Sequence, residues 1–241
     1  MLRNDGRNWD AARKIEIRMD YLRYAEGSCL IKVGNTQVLC AATVEKRVPP
    51  FLVGSGSGWI TAEYGLLPSS TKPRTLREIT IGRPNSRSQE ISRFLGRSFR
   101  AVCDLYALRE HQIIIDCDCL SCDGGTRTAA FNGGFLALLQ ATQRLLEKGI
   151  IEKNPIIEFA AALSVGIVHS RILLDLNYEE DSQADADMNL VLTETGRIVE
   201  IQTTAEKVPF RFETFQKMFE VAKNGIFKII ELEKEVAKSF C

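Results

Sequence analysis

The stretch "SCDGGTRTAAFNGGF", residues 121–135, puts two glycines, a threonine and an arginine at the opening of a predicted helix. Backbone N–H groups at a helix start point outward, and small residues let an anion come close to them. Arg127 adds a guanidinium, the side chain best suited to phosphate. A tight strand-to-helix turn with Thr126 as N-cap accounts for the same residues without a ligand. The segment lacks the Gly-Lys-Ser/Thr ending of a P-loop and is not a dinucleotide fingerprint.

Carboxylates form a second candidate group. Asp181, Asp185 and Asp187 fall within the acidic run "NYEEDSQADADMN" and precede or begin a strand. Asp185 and Asp187 share a parity and so are expected on one face. Oxygen donors with no nearby His or Cys suit Mg²⁺ or Mn²⁺ better than zinc. An acidic turn is the alternative. Against it, Asp187 lies at the buried end of a strand, where a carboxylate needs a partner.

The net charge of the chain is zero, but from Lys72 to Arg100 eight basic residues face two acidic ones. Such local asymmetry suits a site that handles both phosphates and a metal. Arg93, Arg97 and Arg100 fall three or four apart on a predicted helix, the spacing of a solvated face paired with Glu90. Arg87 is expected just before that helix, free to point into a cleft. Lys72, Arg74 and Arg77 lie in a loop of little apolar content and are the better candidates for nucleic-acid backbone.

Other chemistries find less support. His111 and His169 each adjoin a strand, with no nucleophile motif around them. Seven cysteines, an odd number, argue for reduced thiols in a cytoplasmic protein. Cys117, Cys119 and Cys122 have a metal-like spacing, but in a strand the first two share a face and the third lies in the turn. They read as small buried hydrophobes. The polar N-terminus "MLRNDGRNWDAARK" is not a secretory signal, and no apolar run has transmembrane length.

The elements that must position these groups follow from periodicity. "GSCLIKVGNTQVLCAATVE" reads as a hairpin turning at Gly34-Asn35, "GWITAEY" as a short strand and "HQIIIDCDC" as another. Ile91, Phe94, Leu95, Phe99, Val102 and Leu105 mark a helix, and "TRTAAFNGGFLALLQATQRLLEKG" a long apolar one ending at Gly149. The pattern restarts with strand pairs in "AALSVGIVHSRILLDLNYEE" and "DMNLVLTETGRIVEIQTTAE", closed by helices to the C-terminus. Each half thus runs strands first, then helices. "LIKVGNTQVLCAATVE" and "LVLTETGRIVEIQTTAE" look like distant copies. The expectation is a duplicated α+β unit forming one domain over residues 1–241.

Taken in order, "NDGR", "AEGSCLIKVGNTQVLCAATVE", "VPPFLVGSGSGWITAEYGLLP", "RSQEISRFLGRSFRA", "IDCDCLSCDGGTRTAA", "SVGIV", "LLDLNYEEDS", "DMNLVLT" and "VEIQTTAE" make the chain resemble the ribonuclease PH family along nearly its whole length. The resemblance implies a ribosomal protein S5 domain 2-like fold. It also implies a phosphate-dependent 3′-to-5′ exoribonuclease, a tRNA nucleotidyltransferase that trims transfer RNA precursors and other RNA 3′ ends. Nucleoside 5′-diphosphates would leave, reversibly. Gly125, Thr126, Arg127 and Arg87 would then bind inorganic phosphate as co-substrate, so that the glycines bring backbone against it. Asp181 and Asp187 would hold Mg²⁺ or Mn²⁺, and the assembly would be a homohexamer, a trimer of dimers. Neither DNA nor a membrane is implied as a partner.

The chain departs from the family pattern at Ser69, where arginine is usual, at Ser86, where glycine is usual, and at Asn177, where aspartate is usual. None of these is a matched catalytic position; they bear on RNA affinity. Two rival readings are a hydrolytic metal-dependent exonuclease, which would release monophosphates, and a catalytically silent RNA-binding ring subunit, which would have lost its phosphate or metal ligands.

Overall fold

Alternating burial along the strands sets the direction each sheet faces. The computed structural model describes residues 3–240. Its first sheet contains β1 (Ile15–Met19), β2 (Gly27–Val33), β3 (Thr36–Glu45), β4 (Trp59–Leu66) and β5 (Gln112–Ser121), in the order β1-β2-β3-β5-β4. Cys29, Ile31 and Val33 on β2, Val38, Cys40 and Ala42 on β3, and Ile113, Ile115, Cys117 and Cys119 on β5 all point to one buried face. This is the period-2 pattern of a half-covered sheet. The expected hairpin is present: Val33 pairs with Thr36 across a turn where Gly34 has φ +58°. β4 runs parallel to β5, so the chain must cross over between them. α1 (Glu78–Ile81) and α2 (Ser86–Ala101) make that crossover.

α3 (Thr126–Glu147) is buried almost all round and lies between the first sheet and a second one. Its small residues permit this. A Cβ on Gly133 would come within 2.7 Å of Ile31, and one on Gly134 within 2.8 Å of Phe99. The second sheet has β6 (Ala160–Val168), β7 (Arg171–Leu174), β8 (Ala186–Thr193) and β9 (Ile198–Ala205), in the order β7-β6-β8-β9. The Asn132 side chain donates to the Ala162 carbonyl at 3.0 Å and accepts from its N–H at 2.7 Å, tying α3 to β6. α5 (Phe212–Ala237) covers the far face of this sheet, packing Met218, Ala222, Ile226, Ile229 and Ile230 on Leu163, Val165, Met188 and Leu190. The layers are sheet, helix, sheet, helix, an α+β arrangement.

Three expectations need correction. Strands do not simply precede helices, since α2 falls between β4 and β5, and α4 (Tyr178–Gln183) between β7 and β8. The stretch "LNYEE" is not strand. Asp175 takes φ +53°, which ends β7, and Asn177 then caps α4 by accepting from the Glu180 N–H at 3.0 Å. Glu180 returns a bond from its side chain to the Asn177 N–H, completing a capping box. Asparagine caps as well as aspartate, so the departure at Asn177 leaves this helix start intact.

The third concerns the cysteines. Cys29, Cys40, Cys103 and Cys117 are buried free thiols, while Cys119 and Cys122 form a close pair rather than two separate buried hydrophobes. The chain turns at the end of β5 and brings their Cα atoms to 6.4 Å. Cys241 lies outside the described residues.

Candidate functional site

Two helix starts and one sheet face meet in a cleft of about 610 Å³. α3 contributes Thr126 and Arg127 from its first turn, with Gly125 as N-cap. Thr126 is therefore the first helical residue and not the cap. α2 contributes Arg87, its second residue, placed there because the Asn85 side chain accepts from the Arg87 N–H at 2.9 Å and caps the helix. Arg87 thus belongs to the helix rather than preceding it, and it is exposed toward the cleft. Both helices direct unpaired N–H groups and the positive ends of their dipoles to the same place.

The two glycines serve backbone packing. Gly124 and Gly125 have φ of +72° and +62°. A Cβ on Gly124 would lie 2.6 Å from the Leu176 carbonyl oxygen, and one on Gly125 2.6 Å from the Arg13 guanidinium. Their bareness lets the loop nest against the segment leading into α4 and against Arg13. Arg13 is buried and links both sides: it donates to Asp175 at 2.7 and 2.9 Å and to the Asp123 carbonyl at 2.5 Å. Arg3 binds Glu180 and the Leu174 carbonyl beside it. The N-terminal segment therefore fixes the glycine loop relative to α4.

The floor comes from the second sheet. Ser164, Asn189 and Gln202 stand in register across β6, β8 and β9, and Asp187 pairs with Gly166 and Thr204 in the adjoining row. Asn189 donates to the Asp187 carboxylate at 3.3 Å. Asp181 enters from α4, and Glu206, just past β9, stands at the same mouth. Burial in the cleft, joined by the charges of Asp181 and Glu206, raises the pKa of Asp187. Asp181 is open to water, yet the surrounding walls desolvate its carboxyl and raise its pKa despite the opposing pull of Arg87. Desolvation outweighs Glu90 in lowering the pKa of Arg127.

Arg87, Gly125, Thr126, Arg127, Asp181 and Asp187 thus line one cleft. Asp185 does not join them: it pairs with Lys207 at 3.0 Å, so shared strand parity pointed to the wrong partner. Glu90 binds Arg127 at 2.8 Å, not its own helix's arginines. Arg97 reaches Glu200, and Arg100 lies over the Trp59 ring. Lys72, Arg74 and Arg77 are exposed and none of them lines the cleft. Sequence reasoning missed Asn189, Gln202, Thr204 and Glu206. Three of these alternate in "QTTAE", a period-2 signal that could have placed them on one face.

Two carboxylates sharing one cleft with Arg87 and Arg127 fit a divalent ion that keeps its waters and shares substrate phosphates, the habit of Mg²⁺. Among the described residues, no three His, Cys, Asp or Glu side chains converge into a closed metal cage.

Family models for the 3′ exoribonuclease family match residues 11–143 as domain 1 and 158–225 as domain 2. The chain is 51% identical over 236 residues to ribonuclease PH of Moorella thermoacetica, covering 98% of this chain and 94% of that one. It is 50% identical to ribonuclease PH of Bacillus subtilis, with 98% and 96% coverage. An Archaeoglobus fulgidus exosome with RNA bound to the active site superposes with a TM-score of 0.82 at 23% identity, over 95% of this chain and 92% of that one. Rice Rrp46 does so with 0.79 at 20% identity, over 98% and 100%. The fold is shared with both structures, and by family models and sequence identity alike the chain belongs to the ribonuclease PH family of 3′ exoribonucleases.

Proposed function

We propose that this chain trims the 3′ ends of transfer RNA precursors in the cytoplasm, using the cleft between α2, α3 and the second sheet. Family membership carries the reaction class: the enzyme is a phosphorolytic 3′-to-5′ exoribonuclease, with inorganic phosphate as substrate. The observation that carries the site assignment is the meeting of Arg87 and Arg127, on two helix starts, with Asp181 and Asp187 in a single cleft. Its walls come from both halves of the chain, which supports one functional domain over residues 1–241.

Phosphate sits on the Gly125–Arg127 backbone and Thr126, between Arg87 and Arg127, which offset its charge and aim one oxygen. That oxygen attacks the phosphorus of the terminal phosphodiester, a P–O bond forms, and the bond to the penultimate 3′ oxygen breaks. A nucleoside 5′-diphosphate leaves, and the 3′ oxygen takes up a proton to become the new RNA end. Exchange of an ester for an anhydride is near balance, so diphosphates can also extend RNA. Asp181 and Asp187 are the residues that would hold Mg²⁺ or Mn²⁺, which when bound supplies positive charge to the transferring group. Lys72, Arg74 and Arg77 hold RNA backbone away from the reacting end, in a homohexameric ring built as a trimer of dimers.

Labelled RNA incubated with and without phosphate tests the reading. Diphosphate products that require phosphate are expected. Monophosphates formed without it would make the enzyme hydrolytic, and no product at all would make the chain a silent subunit.

A further inference from the structure

Glu90 divides its carboxylate between two groups of the cleft. Oε2 accepts from Arg127 Nη2 at 2.8 Å, and Oε1 accepts from Gln202 Nε2 at 3.0 Å. These partners come from α3 and β9, while Glu90 lies one turn into α2. A carboxylate only accepts hydrogen bonds, so it dictates which end of the Gln202 amide faces it. The amide carbonyl is thereby turned away, and its Oε1 is buried without a partner. Phe94, one turn further along α2, holds the Arg127 guanidinium 5.7 Å from its ring centroid. Arg127 is thus fixed on two sides by one helix while it lines the cleft from another.

The charge of Glu90 works against this placement. A carboxylate at hydrogen-bond distance from an arginine competes with an incoming phosphate for the same guanidinium. A flexible arginine, however, has rotamer freedom to lose on binding. A guanidinium already seated has less to lose. One Arg127 Nη2–H goes to Glu90, and the planar fork of remaining donors is then held in one orientation.

We propose that Glu90 is a positioning residue for phosphorolysis, one that seats the Arg127 guanidinium and orients the Gln202 amide so that phosphate meets a preset site. This rests on Arg127 as a phosphate ligand. It predicts a result opposite in sign to simple electrostatics: removing this negative charge weakens phosphate binding.

A double-mutant cycle tests it, with steady-state phosphorolysis measured at varied phosphate and at varied RNA. Glu90→Ala should raise the KM for phosphate about tenfold, a coupling within the range of contacting residues, and leave the KM for RNA within about twofold. Glu90→Gln, which keeps an acceptor for Arg127 but frees the Gln202 amide to flip, should recover part of the loss. In an Arg127→Ala background, the loss from Glu90→Ala should shrink to less than about threefold in kcat/KM, because only the Gln202 amide is left for it to orient. A lower phosphate KM in Glu90→Ala, or equal losses in both backgrounds, would overturn the proposal while leaving the phosphate site standing. An Arg127→Ala enzyme with unaltered phosphate dependence would instead remove the site reading and this inference with it. If Glu90→Ala does not accumulate as folded protein, the same cycle with Glu90→Gln decides.

Discussion

Asp187 shows how a residue's cost to the fold follows from its use in the cleft. Burial, Asp181 and Glu206 all disfavour its charged form, so at neutral pH the ionised carboxylate stands in an environment that resists it. Asp187→Asn keeps the shape and removes the like charge. In metal-free buffer it should melt higher than the parent, by about 2–4 °C for each kcal/mol gained in a chain of this size, while phosphorolysis falls sharply. A differential scan with chelator, set beside an activity assay with Mg²⁺, checks both halves; a lower melting temperature would mean that the carboxylate is stabilising. The Gly-Thr-Arg turn was legible in the sequence because strand, glycines and helix follow one another within a few residues. The pairing of Asp181 with Asp187 was legible only through the family resemblance, because one sits on a helix and the other on a strand, and no single periodicity spans both. Glu90 and Gln202 lie 112 positions apart, and only packing of α2 on the second sheet brings them together.

At the scale of elements, α5 carries a conflict within its buried face. Glu233 is fully buried there, and neither carboxylate oxygen has a partner. Burial raises its pKa well above the ordinary value of 4.5. The unfolded chain releases this proton near its ordinary pKa while the folded chain retains it, so the unfolded state binds fewer protons as pH rises. Stability must then fall as pH climbs from about 4.5 toward the folded value. Glu233→Leu should raise stability by roughly 1–3 kcal/mol, the penalty of an unsatisfied buried polar group, and the gain should be larger at pH 8 than at pH 5. Urea unfolding at both values tests this, and an equal gain at each would show that the carboxyl does not titrate as argued. The segment leading to α1 poses a different problem. Lys72, Arg74 and Arg77 are exposed, and among the described residues none of them forms a salt bridge. If they hold RNA backbone, Arg74→Ala with Arg77→Ala should lower the salt slope of binding by about 0.7–0.9 for each phosphate no longer neutralised. The KM for a long transfer RNA precursor should rise while that for a short oligonucleotide barely moves. Equal weakening of both would assign the loop to the catalytic centre instead. Replacing Ser69 with the arginine usual in the family should tighten long-RNA binding.

Assembly decides the whole molecule's reach for RNA. The outward face of the first sheet has no helix over it among the described elements, and large apolar side chains stand free nearby. Ile79 in α1 is 87% exposed, Leu76 just before it 56%, Phe51 70% and Val53 71%, more apolar exposure in two short segments than single scattered residues would show. A ring of six copies gives these side chains somewhere to be buried, and it would bring the Lys72–Arg77 segment of one copy near the cleft or the RNA path of another. Ile79→Arg should therefore lower the mass seen by light scattering at micromolar concentration. It should leave turnover of a short RNA nearly intact, since Arg87, Arg127, Asp181 and Asp187 all come from the same chain. kcat/KM for a long precursor should drop, because neighbouring subunits would no longer grip the extended RNA. The comparison needs both substrates at one salt concentration, with the fold checked by circular dichroism. A parent protein that is monomeric under these conditions and fully active on structured RNA would refute the ring. An Ile79→Arg enzyme that stays hexameric would instead place these exposed residues away from the subunit interfaces.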